Sequence, residues 1–141
     1  MRTGWATRKR MSYDIIILKP VGSRTDNLAD VDEVLDIGDE ALVLRSLALV
    51  LPGCIQGVFV KDESFTIEGS LSGKPVTSIH LSLKFGACWS DSSFSVVQGL
   101  LSELCDSLQT HAFSVTDNTL ISAPGDYPHT NQRHFLQTIK A

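Results

Sequence analysis

The sequence predicts a single α+β domain, a mainly antiparallel sheet with two helices packed on one face, in the order β-α-β-β-β-α-β. Three observations predict it. Phe65, Ile67 and Leu71 alternate with Thr66, Glu68 and Ser70, and Ile79, Leu81, Leu83 and Phe85 alternate with Ser78, His80, Ser82 and Lys84. Period two is the pattern of a strand with one face in the core and one face polar. Two longer segments, about 39–51 and 93–109, instead space their apolar residues three and four apart, as a helix does. Asp62-Glu63-Ser64 and Ser72-Gly73-Lys74-Pro75 are turn-forming links too short for anything but antiparallel neighbours.

The first strand is Ser12–Lys19. Ile15, Ile16 and Ile17 are β-branched, which favours extended backbone, and the run is apolar on both faces, which predicts a central position. Pro20 ends it by lacking an N–H for the ladder. Residues 21–38 form a long acidic connection with room for one short helical turn.

The first helix begins at Asp39 and Glu40, whose carboxylates suit the positive end of a helix dipole. Leu44, Leu47 and Leu51 mark its core face, Arg45 is its only interior charge, and the pattern predicts a mostly buried helix stopped by Pro52-Gly53. Three strands follow at about 57–61, 65–71 and 76–85.

The second helix opens after several serines able to cap it. It presents Phe94, Val97, Leu101, Leu104 and Leu108 inward, and Ser95, Gln98, Ser102, Glu103 and Asp106 outward. A last strand is predicted at about 112–116, with Phe113 and Val115 facing the core. Three parts follow from this reading: a disordered or non-native extension over 1–10, an α+β domain over 11–121, and a loop-rich tail over 122–141 with a terminal turn at 134–139. Met11 opens a second plausible start, MSYDIIILKP.

At 141 residues the chain is long enough to bury a core without disulfides or metals. Cys54, Cys88 and Cys105 are odd in number, lack zinc-ligand spacing and sit beside apolar residues, so they read as small hydrophobes in a reducing cytoplasm. No apolar run approaches the ~20 residues of a membrane-spanning helix. The net charge is −4, but Arg2, Arg8, Lys9 and Arg10 supply four of the twelve bases and no acid precedes residue 11. The remaining chain sets eight bases against sixteen acids, a net −8. That balance argues against nucleic acid, which needs Lys and Arg on its phosphates, and favours a basic partner.

Between Arg24 and Arg45 lie Asp26, Asp30, Asp32, Glu33, Asp36, Asp39 and Glu40 without a base. Asp30, Asp32, Glu33, Asp36, Asp39 and Glu40 are the candidate partner-binding residues, since a single-sign surface steers an oppositely charged protein. The same residues lack the D-x-D-x-D-G spacing of a calcium loop, and no metal or other cofactor is expected. On the polar sheet face, with Ser114 and Thr116 from the last strand, Glu68, His80 and Lys84 form the second candidate site, a carboxylate and an imidazole that could move a proton. No nucleophile motif or phosphate loop accompanies them. His129 and His134, five apart, lack the spacing of a helical zinc pair. Trp89, after the fourth strand, reads as a lid on the core edge or as a binding anchor.

Met11-Ser12-Tyr13-Asp14 with Ile15–Lys19, the following Val21-Gly22-Ser23-Arg24-Thr25-Asp26, and the run FTIEGSLSGKPVTSIHLSLKFG resemble a group of small bacterial cytoplasmic α+β proteins. That group looks like the immunity proteins paired with polymorphic or contact-delivered toxins. The resemblance covers about residues 11–121. Members carry a Gly-Asp-Pro turn after the fourth strand, where this chain has Gly86-Ala87-Cys88-Trp89-Ser90-Asp91. It implies a cytoplasmic, non-enzymatic protein that binds a basic, toxin-like partner, and it transfers no catalytic residue. Two other functions remain open on the residues: a small enzyme or small-molecule binder on the polar sheet face, and a homodimeric interaction subunit.

Overall fold

The computed structural model describes residues 12–21 and 26–124. The predicted N-terminal extension, the terminal turn at 134–139, His129 and His134 lie outside the described residues. The fold is α+β, as the hydropathy pattern predicts. Seven strands and two α-helices occur among the described residues, in the order β1 (Ser12–Pro20), β2 (Val34–Leu35), α1 (Glu40–Val50), β3 (Phe59–Lys61), β4 (Phe65–Ser72), β5 (Ser78–Phe85), α2 (Asp91–Leu108), β6 (His111–Ser114) and β7 (Leu120–Ser122). A single 3-10 turn, Leu28–Asp30, occupies the acidic connection.

The strands line up as β3-β4-β5-β1-β6-β7, with β2 paired to the end of β1, and every pairing is antiparallel. β1 is central, as its doubly apolar sequence requires. Ile17 pairs with Ile79 on one side and Ala112 on the other. Because β5 and β6 are both antiparallel to β1, they are parallel to each other, and α2 is the crossover that joins them. Both helices cover one sheet face. Ile15, Ile17, Phe65, Ile67, Ile79, Leu81 and Leu83 from the sheet meet Val43, Leu47 and Val50 from α1 and Val97, Leu101 and Leu104 from α2 in one core. Ser46 and Ser107 share a hydrogen bond between the helices at 3.4 Å.

The caps follow the sequence logic. The carboxylate of Asp39 accepts from the Leu42 N–H at 2.9 Å and starts α1. Ser93 Oγ accepts from the Ser90 N–H at 3.1 Å at the start of α2. Gln109 closes α2 in the left-handed region at φ 56°. Gly73, at φ +92° between β4 and β5, occupies a turn position strained for any side chain.

Four sequence expectations are corrected. First, α1 is not mostly buried: Leu42 and Leu49 are exposed, Leu49 to 80%. Nothing among the described residues forms a second layer over the helices, so the outer side of α1 faces solvent whatever its sequence. Second, Phe94 is 38% exposed, because it lies in the first turn of α2, beyond the edge of the core.

Third, Ser102 does not point outward. It is fully buried and its hydroxyl shares a 2.9 Å hydrogen bond with Ser122. Its partner sits on β7, a three-residue strand too short to show a period. That strand ends at Ser122.

Fourth, the phase of the last strand is reversed. Ser114 pairs with Ile15 and Ala112 with Ile17, so Ala112 and Ser114 share the helix-covered face. Ser114 is fully buried and does not belong to the wet face; Thr116 lies in the turn after the strand. Phe113, also buried, is on the opposite face, its ring stacked on His111 at 6.1 Å, and Val115 is 40% exposed.

The β6–β7 turn is closed by Ser114 N–H to Thr119 O and Asn118 N–H to Ser114 O, both at 2.8 Å. Bonds from Leu28 N–H to Asn118 O and from Leu120 N–H to Asp26 O tie the start of the acidic connection to it. Hydrogen bonding from Ser114, and less so from Thr119, holds the Asp117 carboxyl below the ordinary aspartate range. A depressed folded-state value means the stabilisation is present at neutral pH, above the unfolded value, and is lost as pH falls through the folded value. The Asp117 carboxyl carbon is therefore expected to titrate by NMR at lower pH than a peptide aspartate. In Ser114→Ala its midpoint should rise; an unmoved midpoint would refute this cause.

Candidate functional site

Three surfaces carry the chemistry. The first is the open face of the sheet. The register places its residues in rows: Thr66, Lys84 and Ser12; then Glu68, Ser82 and Asp14; then Ser70, His80 and Ile16. Glu68 and Lys84 lie on a diagonal and form an ion pair at 3.6 Å. His80 is turned to the other side, 3.8 Å from Asp14 Oδ1, with Ser82 between the two pairs. The predicted trio is thus split into two pairs, and Asp14 is the partner the sequence reading missed. Each of the four side chains is about half exposed, where an ion pair contributes about 0–1 kcal/mol. Lys84 and Glu68 balance, and Asp14 faces an imidazole, so this part of the face is mixed in sign and wet, whereas Leu18 and Phe113 on the β6 side of it are buried.

The second surface is the acidic connection. Asp30, Asp32, Glu33, Asp36, Asp39 and Glu40 are all exposed. The Glu33 carbonyl accepts from Val21 N–H at 3.0 Å, and Ile37 and Gly38 exchange backbone bonds with Val76, so the backbone of the stretch is fixed to the sheet. Among the described residues only Asp39 has its carboxylate engaged, at the cap of α1. None of the six forms an ion pair among the described residues. Interleaved with them, Val34, Leu35 and Leu42 are 39%, 50% and 42% exposed.

The third surface was not assigned from sequence. The loop 86–90 is pinned to the β3–β4 turn by Gly86 N–H to Ser64 O at 2.8 Å and Cys88 N–H to Glu63 O at 2.9 Å. Gly86 is required there because a Cβ would overlap the Glu63 carbonyl, whose carbon would lie only 2.8 Å away. This close approach sets Trp89 over the end of the core. Its ring lies 4.6 Å from Phe85 and meets Phe65 edge-on at 5.9 Å. Trp89 therefore does lid the core. It also forms one wall of an open recess of about 450 Å³ lined by Tyr13, Leu83, Phe85, Trp89, Asp91 and Phe94.

A second recess, about 220 Å³, lies between α1 and the 52–57 turns and is apolar, with Leu44, Leu47, Leu51 and Ile55 in its walls. Neither recess borders Glu68, His80 or Lys84. Among the described residues there is no group of three or more His, Cys, Asp or Glu side chains able to hold a metal, and no helix long and apolar enough to cross a membrane. Cys54 and Cys105 are buried; burial pushes the Cys54 thiol up, away from the reactive thiolate. Cys88 is exposed, its thiol donating to Glu63 Oε1 at 3.7 Å.

No family model matches the chain, and neither a curated protein nor a solved structure matches it.

Proposed function

We propose that this chain is a non-enzymatic protein-binding domain that docks a basic partner through Asp30, Asp32, Glu33, Asp36, Asp39 and Glu40, in the manner of an immunity or inhibitor protein. One observation carries the reading. From Asp30 to Leu42 the chain exposes six carboxylates and three large apolar side chains, with no described cation among them. Apolar contacts ringed by charge are the anatomy of a protein interface. Same-sign charge speeds encounter with a basic surface and fixes orientation. Inhibition then needs only coverage: a lid of about 800 Å² per partner closes a basic active site without chemistry of its own.

The test changes Asp30, Asp32 and Asp36 to Asn and Glu33 to Gln. Affinity capture from source-organism lysate at low and moderate salt, with wild type beside the variant, supplies the partner. Stopped-flow association with that purified partner is the deciding measurement. Wild type is expected to associate faster at low salt and to lose that advantage as salt rises, while the variant is slower and nearly salt-independent. Equal association rates for the two chains would sink the docking role.

A further inference from the structure

We propose that the recess at the end of the sheet binds a small organic cation with an apolar body, an alkyl- or aryl-ammonium. Four aromatic side chains from four separate places converge on it: Tyr13 from β1, Phe85 from β5, Trp89 from the following loop and Phe94 from the first turn of α2. Leu83 completes the apolar lining, and the one charged group among the described residues is the carboxylate of Asp91. At about 450 Å³ the space falls within the ~300–1,000 Å³ usual for small-molecule sites.

The chemistry selects the ligand. Aromatic faces are negative and attract cations, most strongly where water is partly excluded. Asp91 adds a full negative charge on the same wall. Among the described residues no Lys, Arg or His lines the recess, so the Asp91 carboxylate disfavours an anion there. A neutral apolar molecule would satisfy the rings but leave the carboxylate without a role. A quaternary or tertiary ammonium on a hydrocarbon body satisfies both.

The recess is a site and not a packing fault, because its walls are held from behind. Trp89 is braced by Phe85 and Phe65, and its loop is anchored at Gly86 and Cys88. Phe94, 38% exposed, lines the opening. The proposal is independent of the acidic connection, and neutralising Asp30, Asp32, Glu33 and Asp36 should leave it unchanged.

The test is an NMR titration of the isotopically labelled full chain with benzyltrimethylammonium, and with benzyl alcohol as a neutral aryl control. The cation is expected to shift the Tyr13, Phe85, Trp89 and Phe94 resonances saturably, and benzyl alcohol to bind more weakly. Asp91→Asn and Phe94→Leu, both at solvent-accessible positions, should each weaken the cation by about two- to thirty-fold, the range of one cation–π or exposed charge contact. Asp91→Asn should leave benzyl alcohol unaffected. Three results would overturn the proposal: no localised shifts with the cation, equal binding of the two probes in wild type and Asp91→Asn, or the same resonances moving on dilution without a probe. The last would assign the recess to contact between copies of the chain.

Discussion

Phe65→Ala is expected to destabilise the domain by about 3–5 kcal/mol, the cost of removing an enclosed aromatic ring from a core. Phe65 is 1% exposed, pairs across the ladder with Phe85, and touches Phe59 at 6.3 Å as well as Trp89. The space left behind is closed on the sheet side by β-strand backbone and cannot collapse easily. Each kcal/mol corresponds to about 4–8 °C in Tm for a domain near 100 residues, so the melting temperature should fall by well over ~10 °C. The near-UV circular dichroism should weaken as well, because Trp89 loses its edge-on partner. Phe65→Leu, which keeps most of the volume, should recover more than half of the loss. A Phe65→Ala variant within ~1 kcal/mol of wild type in denaturant unfolding would contradict the burial assigned to this ring.

Leu47→Ala is expected to cost about 2–5 kcal/mol by the same cavity argument, with a specific reason to fall in the lower half. Leu47 is 1% exposed yet also forms a wall of the open recess beside α1. Truncation would enlarge a space that already meets solvent, so the added volume is relieved by water or by movement of Leu44 and Ile55. Denaturant unfolding of Leu47→Ala beside Phe65→Ala orders the two. A larger loss at Leu47 than at Phe65 would show that the α1 recess is closed in solution.

The parts of the fold that repeat are those the sequence reveals. α1, α2, β4 and β5 each hold a hydrophobic period long enough to read, β3 is located by the turn that joins it to β4, and the bounds of all five fall within about two residues of the pattern. Where an element is two to four residues long there is no period. β2 and β7 went unseen for that reason, and the phase of β6 was misread in His111-Ala112-Phe113-Ser114. There the largest apolar residue, Phe113, faces away from the helices, because pairing with Ile15 and Ile17 dictates the phase.

Ser102 shows the same limit, its burial depending on a hydroxyl twenty residues away on β7. The acidic stretch was legible as charge, and the structure adds the exposed Val34, Leu35 and Leu42. Glu68, His80 and Lys84 are legible as one face but not as two diagonal pairs, since the diagonals depend on the β4–β5 and β1–β5 registers. The aromatic recess was not legible. Its walls come from Tyr13, Phe85, Trp89 and Phe94, and only Trp89 drew attention in the chain. The signal that could have found it is the density of aromatics, with four of the chain's ten converging on one rim.

The central place of β1 has a consequence for how the chain is made. β1 leaves the ribosome before every strand it will pair with, and the two strands that flank it, β5 and β6, follow only after α1 and after α2. Until then Ile15-Ile16-Ile17-Leu18 is a run of high β-propensity with both edges unsatisfied, the kind of segment that recruits another copy of itself. Ladders between such distant stretches also close slowly. Nascent chains of this protein should therefore depend on holding chaperones until β6 emerges. Crowded synthesis should yield aggregates nucleated at residues 15–18, while in the finished domain β5 and β6 occupy both edges of that strand.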